Sequence, residues 1–153
     1  MKKSLTVLGV VVAIVAAGSI AVAQGQAEKG KKTEKSKTKE VIYASAENAT
    51  FKEIMPGVSI ADLWGDRDKA AHGTFTKFTP GYDAGMHTHT NDVWLVVLKG
   101  AYLYKDEAGD KRVGPGEFIR IPGGHKHWSG GDKTEGALFY QEGSGKFDKI
   151  PAE

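Results

Sequence analysis

Short apolar segments separated by glycine-containing turns run through most of this chain. They occupy residues 58–64, 72–79, 93–98, 101–105, 117–121 and 137–141. Most of them alternate apolar with polar side chains, which is the period of a strand with one buried face, and none has the spacing of a long amphipathic helix. The segment 93–98 is continuously apolar, which indicates a strand buried on both faces. Together with 20 glycines among 153 residues, this pattern predicts an all-β sandwich or barrel.

Residues 1–23 are typical of a secretory signal peptide. Two lysines precede an apolar segment at 5–17, and Ala21 and Ala23 supply the small residues that signal peptidase requires. We therefore expect cleavage after Ala23 and a periplasmic or secreted protein with no stable membrane span. The alternative is an uncleaved anchor, because residues 4–23 are about as long as the ~20 residues that a membrane-spanning helix needs.

Residues 24–40 form a basic segment with six lysines, three glutamates and a single alanine as its largest apolar side chain. Such a segment buries too little apolar surface to offset its chain entropy, so we expect a disordered linker. The rest, 41–150, is then one folded domain, in keeping with the length of the chain. Residues 41–153 carry 13 basic and 16 acidic side chains. This mildly acidic balance is not that of a protein that binds nucleic acid.

Four of the five histidines lie in two His-x-His pairs, His87 with His89 and His125 with His127. Residues i and i+2 of a strand face the same side, so each pair can direct two imidazoles at one point. The chain has no cysteine, which excludes thiolate ligands and leaves nitrogen and oxygen. Imidazole nitrogen binds several transition metals. The pairs therefore predict a site for one divalent cation, with Zn, Fe, Mn, Ni and Cu all left open.

The glycines and prolines around the two pairs resemble the two sequence motifs of the cupin superfamily. Residues 81–89 contain a glycine, five residues and then His-x-His, and Gly100 stands where that motif closes. Residues 116–127 have the glycine, proline, glycine and histidine spacing of the second motif. The resemblance implies a double-stranded β-helix, or jelly-roll barrel, for the folded domain. The chain is similar to small single-domain bacterial cupins and to the zinc-binding cupin of an anti-sigma factor.

The ligand set that this resemblance implies departs from the usual cupin pattern at one position. His87, His89 and His127 correspond to family ligands, but Val93 stands where the family's glutamate ligand is expected. A valine side chain cannot bind a metal. His125 has the strand parity of a fourth ligand, and its alternative is a place beside the site or in the pocket.

Three neutral imidazoles leave the charge of a divalent cation uncompensated, which favours an anionic or chelating ligand. In its three-histidine set the chain is similar to cupin dioxygenases that act on acetylacetone or thiols. We therefore interpret it as an exported metal-binding cupin, with a mononuclear dioxygenase as the enzymatic hypothesis. A non-catalytic metal- or ligand-binding cupin of the envelope is the alternative, which a fourth histidine ligand would favour, and a barrel that has lost its metal is a third. No nucleophile elbow, phosphate loop or dinucleotide fingerprint is visible, and the sequence assigns no catalytic residue.

Four further residues are candidates for the lining of a pocket for a small molecule. Trp94 and Tyr102 are aromatic and lie near the motifs, Arg120 can bind a substrate carboxylate, and His72 begins the strand before the first motif. Each has a structural alternative: the aromatic rings in the core or a dimer interface, the arginine at the surface, and the histidine as a structural residue. Cupins frequently pair through their sheets, so the resemblance also implies a homodimer.

Overall fold

The computed structural model describes residues 41–153, in which eleven strands follow one another and no helix occurs. Within this range no helix is long and apolar enough to cross a membrane. The predicted signal peptide, 1–23, and the predicted linker, 24–40, lie outside the described residues and stay predictions.

The strands form two antiparallel sheets. Their bounds are β1 Lys52–Met55, β2 Val58–Gly65, β3 His72–Phe78, β4 Asp83–Thr88, β5 Val93–Gly100, β6 Tyr102–Asp106, β7 Gly109–Val113, β8 Phe118–Ile121, β9 His127–Gly131, β10 Ala137–Gly143 and β11 Ile150–Pro151. The larger sheet has the order β1-β2-β3-β10-β5-β8, and the smaller has the order β11-β4-β9-β6-β7. Because the chain passes from one sheet to the other several times, this is the two-sheet jelly roll that the sequence predicts.

The hydrophobic core lies between the sheets. Leu95, Val97 and Phe139 of the larger sheet are at most 1% exposed, and they pack with Tyr102 and Tyr104 of the smaller sheet. Burying each of these side chains contributes about 1.5–3 kcal/mol relative to leaving it in water. The core thereby fixes the two sheets face to face, which is the arrangement that brings residues of β3 and β4 to opposite sides of one cavity.

Each of the six predicted apolar segments contains a strand, but the burial predicted for 93–98 is wrong. Val93 and Leu95 face the core, whereas Leu98 is 42% exposed. No second layer of the described residues covers the outer face of the larger sheet, so this strand is buried on one side only. Asp106 and Gly109 are paired at the turn between β6 and β7, so these two strands form a hairpin.

Candidate metal centre

Three histidines meet on the inner side of the smaller sheet. His87 lies in β4 and His127 begins β9, and the two are register partners in this antiparallel pair. His89 follows β4 directly after Thr88. Their ligand nitrogens all lie within 4.8 Å of one another, and all three side chains are buried. These three residues can hold one metal ion.

Backbone carbonyls fix the tautomer of each ring. The Nδ1 of His87 donates to the carbonyl oxygen of Gly85 at 2.8 Å, and the Nδ1 of His127 donates to that of His125 at 3.0 Å. The Nδ1 of His89 donates to the carbonyl oxygen of Asp148. A carbonyl oxygen only accepts, so Nδ1 carries the proton in all three rings and Nε2 carries a lone pair. This is the form in which imidazole binds a metal through Nε2, while the hydrogen bond from Nδ1 fixes the orientation of the ring.

The Nε2 of His127 is the buried side-chain polar atom that lacks a hydrogen-bond partner among the described residues. Leaving such an atom unsatisfied costs about 1–3 kcal/mol. A cation shared with His87 and His89 would supply its partner. The donor set therefore fits a divalent transition metal held by nitrogen.

Burial lowers the pKa of all three imidazoles. The pKa of His87 falls from 6.5 to about 4, first because the ring is desolvated and then because it lies near His127, His89 and Lys149; its hydrogen bond to Gly85 opposes the change. Desolvation also lowers the pKa of His89 and of His127. At neutral pH the cluster is uncharged, so no proton has to be displaced before a cation binds.

Within the described residues no carboxylate joins the cluster. Val93, at the position of the family's glutamate, is 4% exposed and forms an apolar wall of the adjoining cavity. The side chain of Asp148 instead accepts hydrogen bonds from the backbone nitrogen of Thr90 at 2.8 Å and from its hydroxyl at 2.5 Å. A cation held here would therefore keep its full charge.

The structure places His125 outside the cluster. Its Nε2 lies 3.0 Å from Oδ2 of Asp106, and its side chain is 42% exposed. The i, i+2 parity argument requires both residues of the pair to lie in one strand, but β9 begins at His127 and the preceding residues form a turn. What this residue provides to the site is its backbone carbonyl, which holds the ring of His127.

A cavity adjoins the cluster between the two sheets. The space inside it is about 670 Å³ when the open solvent at its mouth is included, of which about 70 Å³ can hold the centre of a water-sized molecule. The larger sheet lines it with apolar side chains, among them Val58, Ile60 and Phe78, and with His72, Thr74 and Thr76. Arg67 and Lys149 lie among its lining residues, which include no aspartate or glutamate.

Two of the four predicted pocket residues line this cavity, and two do not. His72 and Tyr102 are buried in its wall. Trp94 and Arg120 are register partners on the outer face of the larger sheet, since their neighbour Val93 points inward. The guanidinium of Arg120 donates to the carboxylate of Asp92, at 2.6 Å from Nη2 and 3.1 Å from Nε, rather than facing a ligand.

Three residues that line the cavity were not predicted from the sequence. Thr74 and Thr76 follow His72 at two-residue intervals on β3, so the alternation of that strand was a signal for them. Phe147 comes from an irregular segment after β10, and its ring centroid lies 5.2 Å from that of His89. Its place depends on how the chain returns to the site, for which the sequence carries no periodic signal.

A family model described as a domain of unknown function (DUF4437) matches residues 24–153. No curated protein matches the chain.

Among solved structures, the polyketide cyclase RemF from Streptomyces resistomycificus is 18% identical, with a TM-score of 0.61 over 74% of this chain and 87% of that one. An RmlC-like cupin from Shewanella frigidimarina is 16% identical, with a TM-score of 0.55 over 69% and 92%. A chain of the complex between Rhodobacter sphaeroides SigE and the anti-sigma ChrR is 18% identical, with a TM-score of 0.53 over 65% and 50%. At these identities the likeness concerns the fold, and the predicted cupin fold is confirmed.

Proposed function

This chain belongs to the DUF4437 domain family and has a cupin fold, and from that premise we propose that it is a metal-dependent dioxygenase acting on a small anionic or chelating substrate. One divalent cation is held by His87, His89 and His127. The observation that carries the proposal is the set of three buried imidazoles whose ligand nitrogens lie within 4.8 Å of one another beside a cavity.

The residues of this site have separable tasks. The three imidazoles hold the cation, and the carbonyls of Gly85 and Asp148 keep two of them in the ligating tautomer. When bound, an iron ion supplies Lewis acidity, open coordination positions and reactivity toward dioxygen. The apolar lining excludes water from the substrate, which strengthens electrostatic interactions inside the cavity. Because no acidic side chain lines the cavity, an anionic substrate meets no repulsion there.

A non-catalytic metal-binding cupin is the competing function. A fourth protein ligand would support it by closing the coordination sphere of the cation. Among the described residues the ligand cluster has three members, and His125 is held by Asp106 instead. This arrangement supports a site with room for a substrate, and it is the reason for preferring the catalytic proposal.

Oxygen uptake by the iron-loaded protein tests the proposal. The protein is supplied with small diketones and thiols in turn, and a His89→Ala variant serves as the negative control. An Arg120→Gln variant is the matched positive control, because that side chain lies on the outer face of the larger sheet. We expect uptake by the wild type and Arg120→Gln and none by His89→Ala. If the wild type binds iron but takes up no more oxygen than His89→Ala, the dioxygenase proposal is wrong. If it binds neither iron nor zinc, the proposed metal site is wrong as well.

We also propose that the protein acts outside the cytoplasm, on the basis of residues 1–23. The apolar segment at 5–17 and the alanines at 21 and 23 support this proposal. Amino-terminal sequencing of the protein from its producing cells should find Gln24 as the first residue. An intact Met1 together with membrane association would favour the uncleaved anchor.

A further inference from the structure

A fourth buried imidazole faces the cavity from the other sheet. His72 is the first residue of β3 and is 2% exposed, and it lines the same cavity as His87 and His89. The ring of Phe147 contacts both sides of the cavity, with centroid distances of 6.2 Å to His72 and 5.2 Å to His89. His72 is therefore a neighbour of the metal cluster without being a member of it.

The hydrogen bonds of His72 leave one nitrogen unused. Its Nδ1 lies 3.1 Å from the carbonyl oxygen of Ala70 and 3.1 Å from that of Gly145. Both oxygens only accept, so Nδ1 carries the proton and Nε2 carries a lone pair. No group among the described residues bonds to this Nε2 atom. Tying the two loop segments together requires Nδ1 alone, so these bonds leave the lone pair of Nε2 available.

The backbone opposite His72 is shaped to accept its ring. Gly143 is its register partner on β10. A Cβ at that position would lie 2.3 Å from Cε1 and 2.9 Å from Nε2 of His72, closer than real atoms approach. The ring therefore packs directly on the glycine backbone, and this packing fixes the place of Nε2.

Two hydroxyl groups continue the polar strip along β3. The Oγ1 atoms of Thr74 and Thr76 are 3.1 Å apart, and both side chains are buried in the cavity wall. One hydroxyl donates to the other, so the acceptor of that bond retains a proton that it can donate elsewhere. The larger sheet thus lines its side of the cavity with an acceptor and a donor, among apolar side chains such as Val58, Ile60 and Phe78.

We propose that Nε2 of His72 is the proton acceptor of this cavity, and that the substrate is a small compound with an enol or phenol hydroxyl on an apolar body. The inference rests on the proposed function in placing the substrate in this cavity. In the step, the substrate's O–H bond breaks and an N–H bond forms at Nε2, while the electron pair of the O–H bond stays on oxygen as an anion. The Nδ1–H group remains donated to the carbonyls of Ala70 and Gly145, which stabilise the resulting imidazolium.

Histidine-selective 15N NMR of the zinc-loaded protein tests this inference. The probe is 4-nitrophenol, whose anion absorbs in the visible, and the matched control is 4-nitroanisole, which has no proton to donate. At a pH at which the free probe is mainly protonated, we expect 4-nitrophenol to move the His72 Nε2 resonance toward that of a protonated nitrogen and its phenolate absorbance to rise above that of the free probe. The anisole should bind without either change.

Three variants separate proton acceptance from packing. In His72→Gln and His72→Phe we expect the affinity for 4-nitrophenol to fall about tenfold, with the affinity for 4-nitroanisole unchanged. Gly143→Ala displaces the ring and should abolish the change in the Nε2 resonance while His72 is still present. Arg120→Gln, on the outer face, should behave as the wild type. Thermal unfolding of each variant confirms that it is folded.

The outcomes distinguish this inference from the metal proposal. If zinc binds but 4-nitrophenol leaves the His72 resonance unchanged, or does not bind, the inference is wrong and the metal site stands. If zinc does not bind, the proposed function is wrong. The same titration of the metal-free protein then shows whether His72 still accepts the proton.

Discussion

His87 and His127 are opposite each other across β4 and β9, with their ring centroids 4.3 Å apart. They are separated by 39 intervening residues in the chain, yet the antiparallel register makes them direct neighbours on one face of the smaller sheet. His89 reaches the same point from just beyond the end of β4. The arrangement of this histidine cluster is therefore a consequence of strand pairing, because neighbouring strands hold its imidazoles in place.

Replacing His127 by alanine should abolish metal binding. The variant removes one of the three proposed ligands, and we expect zinc affinity to fall by more than the ~10–100-fold that is lost when a residue hydrogen-bonded to a metal ligand is removed. Competition with a chromogenic chelator measures the change. Arg120→Gln is the control. If His127→Ala binds zinc as tightly as this control, the ring of His127 does not bind the metal.

Replacing His125 by glutamine should leave metal affinity within about twofold of the wild type. Its side chain faces Asp106, and the backbone carbonyl that holds His127 is kept in the variant. X-ray absorption of the zinc-loaded wild type should find three histidine nitrogens. A fourth nitrogen around zinc in the wild type that is absent in His125→Gln would instead show that His125 is a ligand.

The metal-free protein should lose stability as the pH falls from 6.5 toward 4. The pKa of His87 is about 4 in the folded chain and 6.5 in the unfolded one, so between these values the unfolded chain binds more protons. Stability is therefore complete above pH 6.5 and declines through this window, by at most about 3 kcal/mol for this one residue. The lowered pKa of His89 and of His127 acts in the same direction.

Urea unfolding at a series of pH values measures this decline. A His87→Gln variant, which has no group to protonate at that position, should show a shallower slope. If the urea midpoint of the metal-free wild type stays constant from pH 7 to 4.5, burial does not lower the pKa of His87 as expected.

Replacing Val93 by glutamate should lower the stability of the metal-free protein and raise its affinity for zinc. Val93 is 4% exposed and lines the cavity, so Val93→Glu should destabilise the metal-free protein by about 3–5 kcal/mol through an unpaired buried charge. With zinc present the carboxylate gains a partner, and we expect tighter binding. Val93→Gln is the neutral control of matched size, and equal zinc affinities for the two variants would show that the residue does not reach the cation.

Local patterns were sufficient to locate six of the eleven strands, and the resemblance to the cupin motifs implied the three histidines of the cluster. Alternation and glycine spacing located β2, β3, β5, β6, β8 and β10, because burial on one face leaves a period of two in the sequence. The strands β1, β7 and β11 span only four, five and two residues, and no alternating apolar segment marks them in the sequence. Trp94 and Arg120 were placed in the pocket incorrectly, since the direction of a strand's inner face depends on which sheet covers it.

Residue type and short-range spacing were enough to predict a sandwich or barrel without cysteine ligands, and the resemblance to the two cupin motifs implied the jelly roll and the set of His87, His89 and His127. The packing of the folded chain was needed to show that His125 turns to Asp106, that His72 lines the cavity from the opposite sheet, and that Phe147 lies beside both His72 and His89. Such placements depend on where a strand begins and on how two sheets pack face to face. These contacts join residues far apart in the chain, and no local period records them.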